Sequence, residues 1–203
     1  MSQTLVTPAM VSLAASRLLG RGPSGATGEI TLGTGLSFTG NTLNAGGGVT
    51  RGTLAATTSG SSVDFTTVPT GISVLHVILN QVSTNGSSPL MVQFGPTGGI
   101  ETTGYSVFEE RLSGASVVGG IQTSGFRFYD NSASLFYSGL LTFCLVDAAT
   151  NTWVGGGRLI DGSANRHDCF GRKALAGALS RVRLTTPSGT DVFDSGSYNI
   201  IYY

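Results

Sequence analysis

The sequence predicts a mainly β protein: a short N-terminal helix, a glycine-rich stalk and a C-terminal domain of the β-sandwich or jelly-roll type. Three observations lead there. From residue 53 onward, short runs rich in Val, Ile, Phe and Tyr recur between clusters of Gly, Ser, Asn and Pro. Glycine supplies 31 of 203 residues, about twice the ordinary ~7%, and it is densest ahead of those runs. Helical spacing of apolar residues is confined to the first twenty positions.

Residues 1–20 form the expected attachment helix. Thr7 followed by Pro8 has the form of an N-cap with proline at the first helical position. Met10, Leu13, Ala14, Arg17 and Leu18 then recur at helical spacing, and Gly20 is a stop signal. Three turns are marginal alone, so this helix should pack on a partner.

Residues 21–52 form the expected stalk. Its entry, GRGPSGATGE, comes within one residue of a phosphate-binding loop, but Ala26 stands where the lysine belongs. That loop also needs a strand before it and a helix after it, and the pattern here is the reverse. Glycines separate Ile30, Leu32, Leu36, Phe38 and Leu43. A single thin chain cannot bury five such side chains, whereas several copies wound together can, because glycine lets backbones approach.

Residues 53–203 form the β domain. Strands are expected over 72–82, 90–95, 105–112, 126–130, 140–147, 152–160 and 178–186, with SYNIIYY closing the chain in a sheet. Asn85-Gly86 is the sharpest turn signal and should join the first two strands. Many short strands with turns between them indicate a sandwich or jelly roll.

Charge excludes several functions. Eleven basic and eleven acidic residues cancel, and charged residues are only 11% of the chain. No positive stripe exists for nucleic acid, and no apolar run approaches the ~20 residues of a membrane span. No secretory signal is visible. Cys144 and Cys169 lack metal-ligand spacing and read as free, buried thiols of a protein made in a cytoplasm.

Catalytic constellations are thin. Arg166, His167, Asp168 and Cys169 are consecutive, and sequence neighbours rarely face one another across a site. Glu109 and Glu110 point to opposite faces of a strand. Paired with Asp130 or Asp161, either could serve a glycosidase, but nothing in the sequence joins them. His76 alternates with apolar residues and reads as packed. No calcium loop appears, Asn85-Gly86-Ser87 is accounted for by its turn, and no cofactor is implied. Tyr129, Asp130 and Asn131 put an aromatic, a carboxylate and an amide at a strand-to-loop junction, a combination that can contact a sugar.

Three segments carry a family resemblance. ASRLLGRGPSGATGEITLGTGLSFTGNTLNA (15–45) resembles a connector found in tail and fibre proteins of tailed bacteriophages. STNGSSPLMVQFGPTGGIETTGY (83–105) and KALAGALSRVRLTTPSGTDVFDSGSYNIIYY (173–203) resemble the C-terminal domain of phage tail fibres. The resemblance implies a homotrimeric structural protein of the virion, a short tail fibre and not an enzyme. Residues 1–50 would join it to a tail or baseplate protein, and the β domain would adhere to a host surface glycan or other receptor. It carries over no catalytic, metal or cofactor residue. At 203 residues the chain is short for a fibre, so a head decoration or baseplate peripheral protein without receptor binding is the alternative.

Overall fold

The computed structural model describes residues 17–21, 27–32, 36–39, 42–45, 48–130 and 132–203, and the chain divides into two compact units, Met1–Gly48 and Val49–Tyr203. In the first, β1 (Arg17–Arg21) pairs antiparallel with β2 (Thr27–Thr31), and β3 (Leu36–Thr39) with β4 (Thr42–Ala45). No helix occurs among the described residues.

The expected helix is corrected at its described end. Arg17 and Leu18 lie in β1, opposite Thr31 and Ile30. A three-turn helix is marginal in water, and a strand partner ten residues on supplies a full ladder of backbone bonds instead. Thr7, Pro8, Met10, Leu13 and Ala14 lie outside the described residues. The stalk is corrected too: its described parts are hairpins closed within one chain, not an extended thread. The two ends of GRGPSGATGE pair, with Gly20 opposite Gly28 and Arg21 opposite Thr27, so a strand follows where a phosphate loop needs a helix. The hairpins leave apolar surface in water: Leu36 and Leu43 are exposed, and Phe38, opposite Leu43, is half-buried.

The described residues of the second unit form thirteen strands. The chain enters through β5 (Thr50–Arg51), β6 (Ala55–Ala56) and β7 (Ser62–Phe65). There follow β8 (Val74–Thr84), β9 (Met91–Gly95), β10 (Tyr105–Ser113), β11 (Ser116–Gln122) and β12 (Phe126–Arg127). The last five are β13 (Tyr137–Asp147), β14 (Thr152–Asp161), β15 (Arg166–Ala174), β16 (Arg181–Thr185) and β17 (Phe193–Tyr202). The large sheet runs β11-β10-β15-β14-β13-β8-β17-β5, with β6 also on β17, and the small sheet runs β12-β9-β16-β7. All of these pairs are antiparallel.

The sheets pack face to face over one core. Phe94 of the small sheet meets Phe143 edge-on at 4.8 Å and Trp153 at 6.4 Å, both from the large sheet, and Phe65 meets Tyr198 at 4.9 Å. Phe94 and Phe143 are fully buried, and each such ring contributes about 1.5–3 kcal/mol. The inward positions of β8 (Leu75, Val77 and Leu79) alternate with exposed or half-exposed neighbours, the period-2 pattern of a strand covered on one face.

Asn85-Gly86 does not close a hairpin. β8 lies in the large sheet and β9 in the small one, so this is a corner where the chain changes sheets. The corner is latched to a distant loop: Val192 N donates to Asn85 Oδ1 at 2.8 Å and Ser88 N to Asp191 Oδ2 at 2.8 Å. A turn dipeptide reports local backbone geometry, not which strand its neighbour will pair with. β8 carries its own irregularity, where Gln81 at φ 52° lies beside Gly196 at φ 94° and the β8–β17 register shifts.

Candidate functional site

Glu109, Asp130, Asp161 and His167, all noted in the sequence, converge at one part of the sandwich. Strand alternation turns Glu109 inward and Glu110 outward on β10, as expected of neighbours in a strand. Glu109, fully buried, accepts from Arg127 Nε at 2.8 Å, from the second nitrogen of that guanidinium, and from Gln122 Nε2 at 2.8 Å. Beside it in the register, β15 presents Cys169 opposite Glu109 and His167 opposite Arg111.

His167 is fully buried. Its Nε2 lies 3.1 Å from Asp161 Oδ2, its Nδ1 lies 4.0 Å from Asp130 Oδ1, and the Tyr137 ring meets it edge-on at 5.3 Å. Asp161 closes the turn from β14 to β15. Its Oδ1 accepts from Ser163 N at 2.8 Å and Asn165 N at 2.9 Å, and its Oδ2 from Asn165 Nδ2 at 2.9 Å. Burial pushes this carboxyl up, but the bonds from Asn165, His167 and the turn amides outweigh it and hold it below the usual carboxylate range. Burial, with the charges of Asp130 and Asp161, pushes the Tyr137 hydroxyl well up.

Glu109, Asp130 and Asp161, which the sequence could not join, therefore share one neighbourhood. All three already have partners. Glu109 is held by Arg127 and Gln122, Asp130 by Arg111, and Asp161 by its own turn. Of the three, Asp161 is held below the usual carboxylate range by its hydrogen bonds, which keeps it ionised at neutral pH. On the outer face, Asp168 binds Arg158 Nε at 2.7 Å and Arg166 Nε at 3.0 Å, and Glu110 lies 3.9 Å from Arg166. Among the described residues no group of three or more His, Cys, Asp or Glu could hold a metal.

Of the proposed sugar contact, Tyr129 and Asp130 are half-buried beyond β12, and Asn131 lies outside the described residues. Asp130 ties its loop to the large sheet through Arg111, and its carbonyl lies 3.5 Å from the Tyr137 hydroxyl. His76, expected to be packed, lies half-exposed with Nδ1 2.9 Å from Thr142 Oγ1.

The segment read as a polar loop with a buried thiol is the strand β15. Arg166, Asp168, Phe170 and Arg172 alternate with inward His167, Cys169, Gly171 and Lys173. The signal was there but disguised, because the inward set is polar or small where aliphatic residues are expected. Lys173 is buried because Thr103 O accepts from its Nζ at 2.9 Å, Glu101 pairs with it and the Tyr105 ring lies 5.1 Å away. Cys144 is also corrected: it is exposed on the outer face, while Cys169 is buried. Opposite faces of one sheet keep the two thiols apart.

No family model, curated protein or solved structure matches this chain.

Proposed function

We propose that this chain is a structural virion protein of a tailed phage, a short homotrimeric tail fibre. Residues 1–50 join it to the tail or baseplate, and the β domain contacts the host surface. One observation carries the reading. The buried carboxylates Glu109 and Asp161 are held by Arg127, Gln122 and the β14–β15 turn, and on the large sheet's outer face exposed Phe108, Ile121 and Phe170 stand beside charges paired with one another. That is the chemistry of adhesion and assembly, not of turnover. The exposed Leu36 and Leu43 and the half-buried Phe38 of the first unit support the trimer, since other copies would cover them.

A purely structural place, in head decoration or the baseplate periphery, is favoured by one fact: Asp130, the carboxylate of the proposed sugar contact, is already held by Arg111. Immunogold labelling of phage particles, with glycan-array binding by residues 49–203, tests both readings. Tail labelling with glycan binding is expected. Head labelling without binding would put the structural alternative in its place, and unlabelled particles would end the virion reading.

A further inference from the structure

Three connections of the β domain meet around one cavity of ≈ 120 Å³. Ile72 stands in the segment leading into β8, Asn151 in the turn from β13 to β14, and Ala178 and Leu179 between β15 and β16. Leu145 of β13 and Trp153 of β14 also line it. Backbone bonds hold these segments together: Leu145 N donates to Ser73 O at 2.8 Å, and Leu175 N to Asn151 O at 3.1 Å. Trp153 is 2% exposed, yet its Nε1 has no hydrogen-bond partner. A buried indole N–H is ordinarily paired, and an unpaired one carries its full desolvation cost.

Size and polarity select the occupant. The space is well above the ~10–15 Å³ that holds one water and well below the ~300–1,000 Å³ that encloses a whole ligand. It fits one substituent of a larger molecule. Ile72, Leu145 and Leu179 call for an apolar group, and the indole calls for a single acceptor. An aliphatic side chain would leave the indole unpaired, and a carboxylate would find no counter-charge in the lining. A sugar hydroxyl would bring a donor of its own against apolar walls. An acetamido group meets both demands, its methyl against the apolar walls and its carbonyl accepting from Nε1. Its N–H is left for Asn151, half-exposed, whose side chain makes no hydrogen bond among the described residues.

We propose that this cavity is the subsite for the acetamido group of an N-acetylated sugar in a host surface glycan. The proposal rests on the adhesive reading of the β domain and places a contact on residues other than Tyr129 and Asp130.

Trp153 is the chain's one tryptophan, so its emission reports on this cavity alone. Full-length protein is titrated with N-acetylglucosamine and N-acetylgalactosamine, and with glucose and galactose, which lack the acetamido group. The N-acetylated sugars should shift the emission with half-saturation near ~1–10 mM, and the plain sugars should leave it unchanged to ~100 mM. Ala178→Leu, at an exposed position of the lining, should raise the half-saturation concentration at least tenfold with unchanged far-UV circular dichroism. Should that variant not fold, Trp153→Phe keeps an aromatic ring in the core and removes the indole N–H; calorimetry should then show the same tenfold loss. Equal responses to plain and N-acetylated sugars overturn the subsite, and so does a folded variant that binds as wild type does. No response to any of the four, with glycan-array binding by residues 49–203 retained, overturns the subsite and leaves the adhesive reading standing. No response and no array binding overturn both.

Discussion

At the residue scale, the inside of the sandwich holds charge only where each group is answered. Glu109 has almost no exposed side chain, and Arg127 retains about a quarter of its exposure. Truncating one partner of such a pair strands the other, at a typical cost of about 3–5 kcal/mol. Glu109→Ala should therefore lower unfolding free energy by about 3 kcal/mol in urea titrations, and Glu110→Ala, on the outer face, by less than about 1. Asp161 gives a pH prediction. Its folded pKa is depressed, so its contribution to stability is complete above the unfolded value near ~4 and is lost as pH falls through the lower folded value. Asp161→Asn should be less stable than wild type at pH 7, and the gap should narrow below about pH 4. A gap constant from pH 7 to pH 2 would contradict the assignment. Burial also pushes the Cys169 thiol well up. Native protein should leave it unlabelled by iodoacetamide, and denaturation without reductant should expose both thiols, since neither is paired.

At the element scale, the large sheet depends on how closely its central strands approach one another. A Cβ at Gly155 would stand 2.1 Å from the carbonyl oxygen of Thr142, and one at Gly171 would stand 2.2 Å from that of Ser106. These two glycines face each other across β14 and β15. Backbone oxygens cannot swing aside as a side-chain tip can, so the strands themselves must separate. Gly155→Ala should cost about 3 kcal/mol, read as a lower midpoint in urea. Gly120→Ala, near the sheet's edge, should cost under about 1 kcal/mol, because its nearest neighbour is the flexible end of Gln122 at 4.0 Å.

At the scale of the whole molecule, the domain boundary has a measurable consequence. The β domain expected from residue 53 lacks Thr50 and Arg51, which pair with Tyr202 and Ile201 of β17. It also lacks Gly52, whose amide donates to Ile200 O at 2.8 Å. A fragment 49–203 should fold alone and melt cooperatively. Fragment 53–203 should melt several degrees lower, about 1–2 kcal/mol less stable, with the end of β17 unpaired. Equal melting temperatures would show that this first strap contributes nothing to the fold.

The sequence alone determined that the chain is mainly β and where most of its strands lie. Alternation and turn chemistry are local, and β8, β10, β13 and β14 display both. It could also tell that Glu109 and Glu110 face opposite ways, because a strand's period of two is independent of its surroundings. Tertiary structure alone decided which strands share a sheet. Asn85-Gly86 has the sequence of a hairpin turn and serves as a corner between sheets, since pairing depends on partners a hundred residues away. It decided too that β15 is a strand at all. His167 and Lys173 face inward because Asp161, Glu101 and Thr103 bind them, and the last two stand some seventy residues away from the strand. The described end of the expected helix gave way for the same reason: helical spacing at Arg17 and Leu18 is a local property, whereas the competing ladder from Arg17 to Thr31 is built from two strands at once.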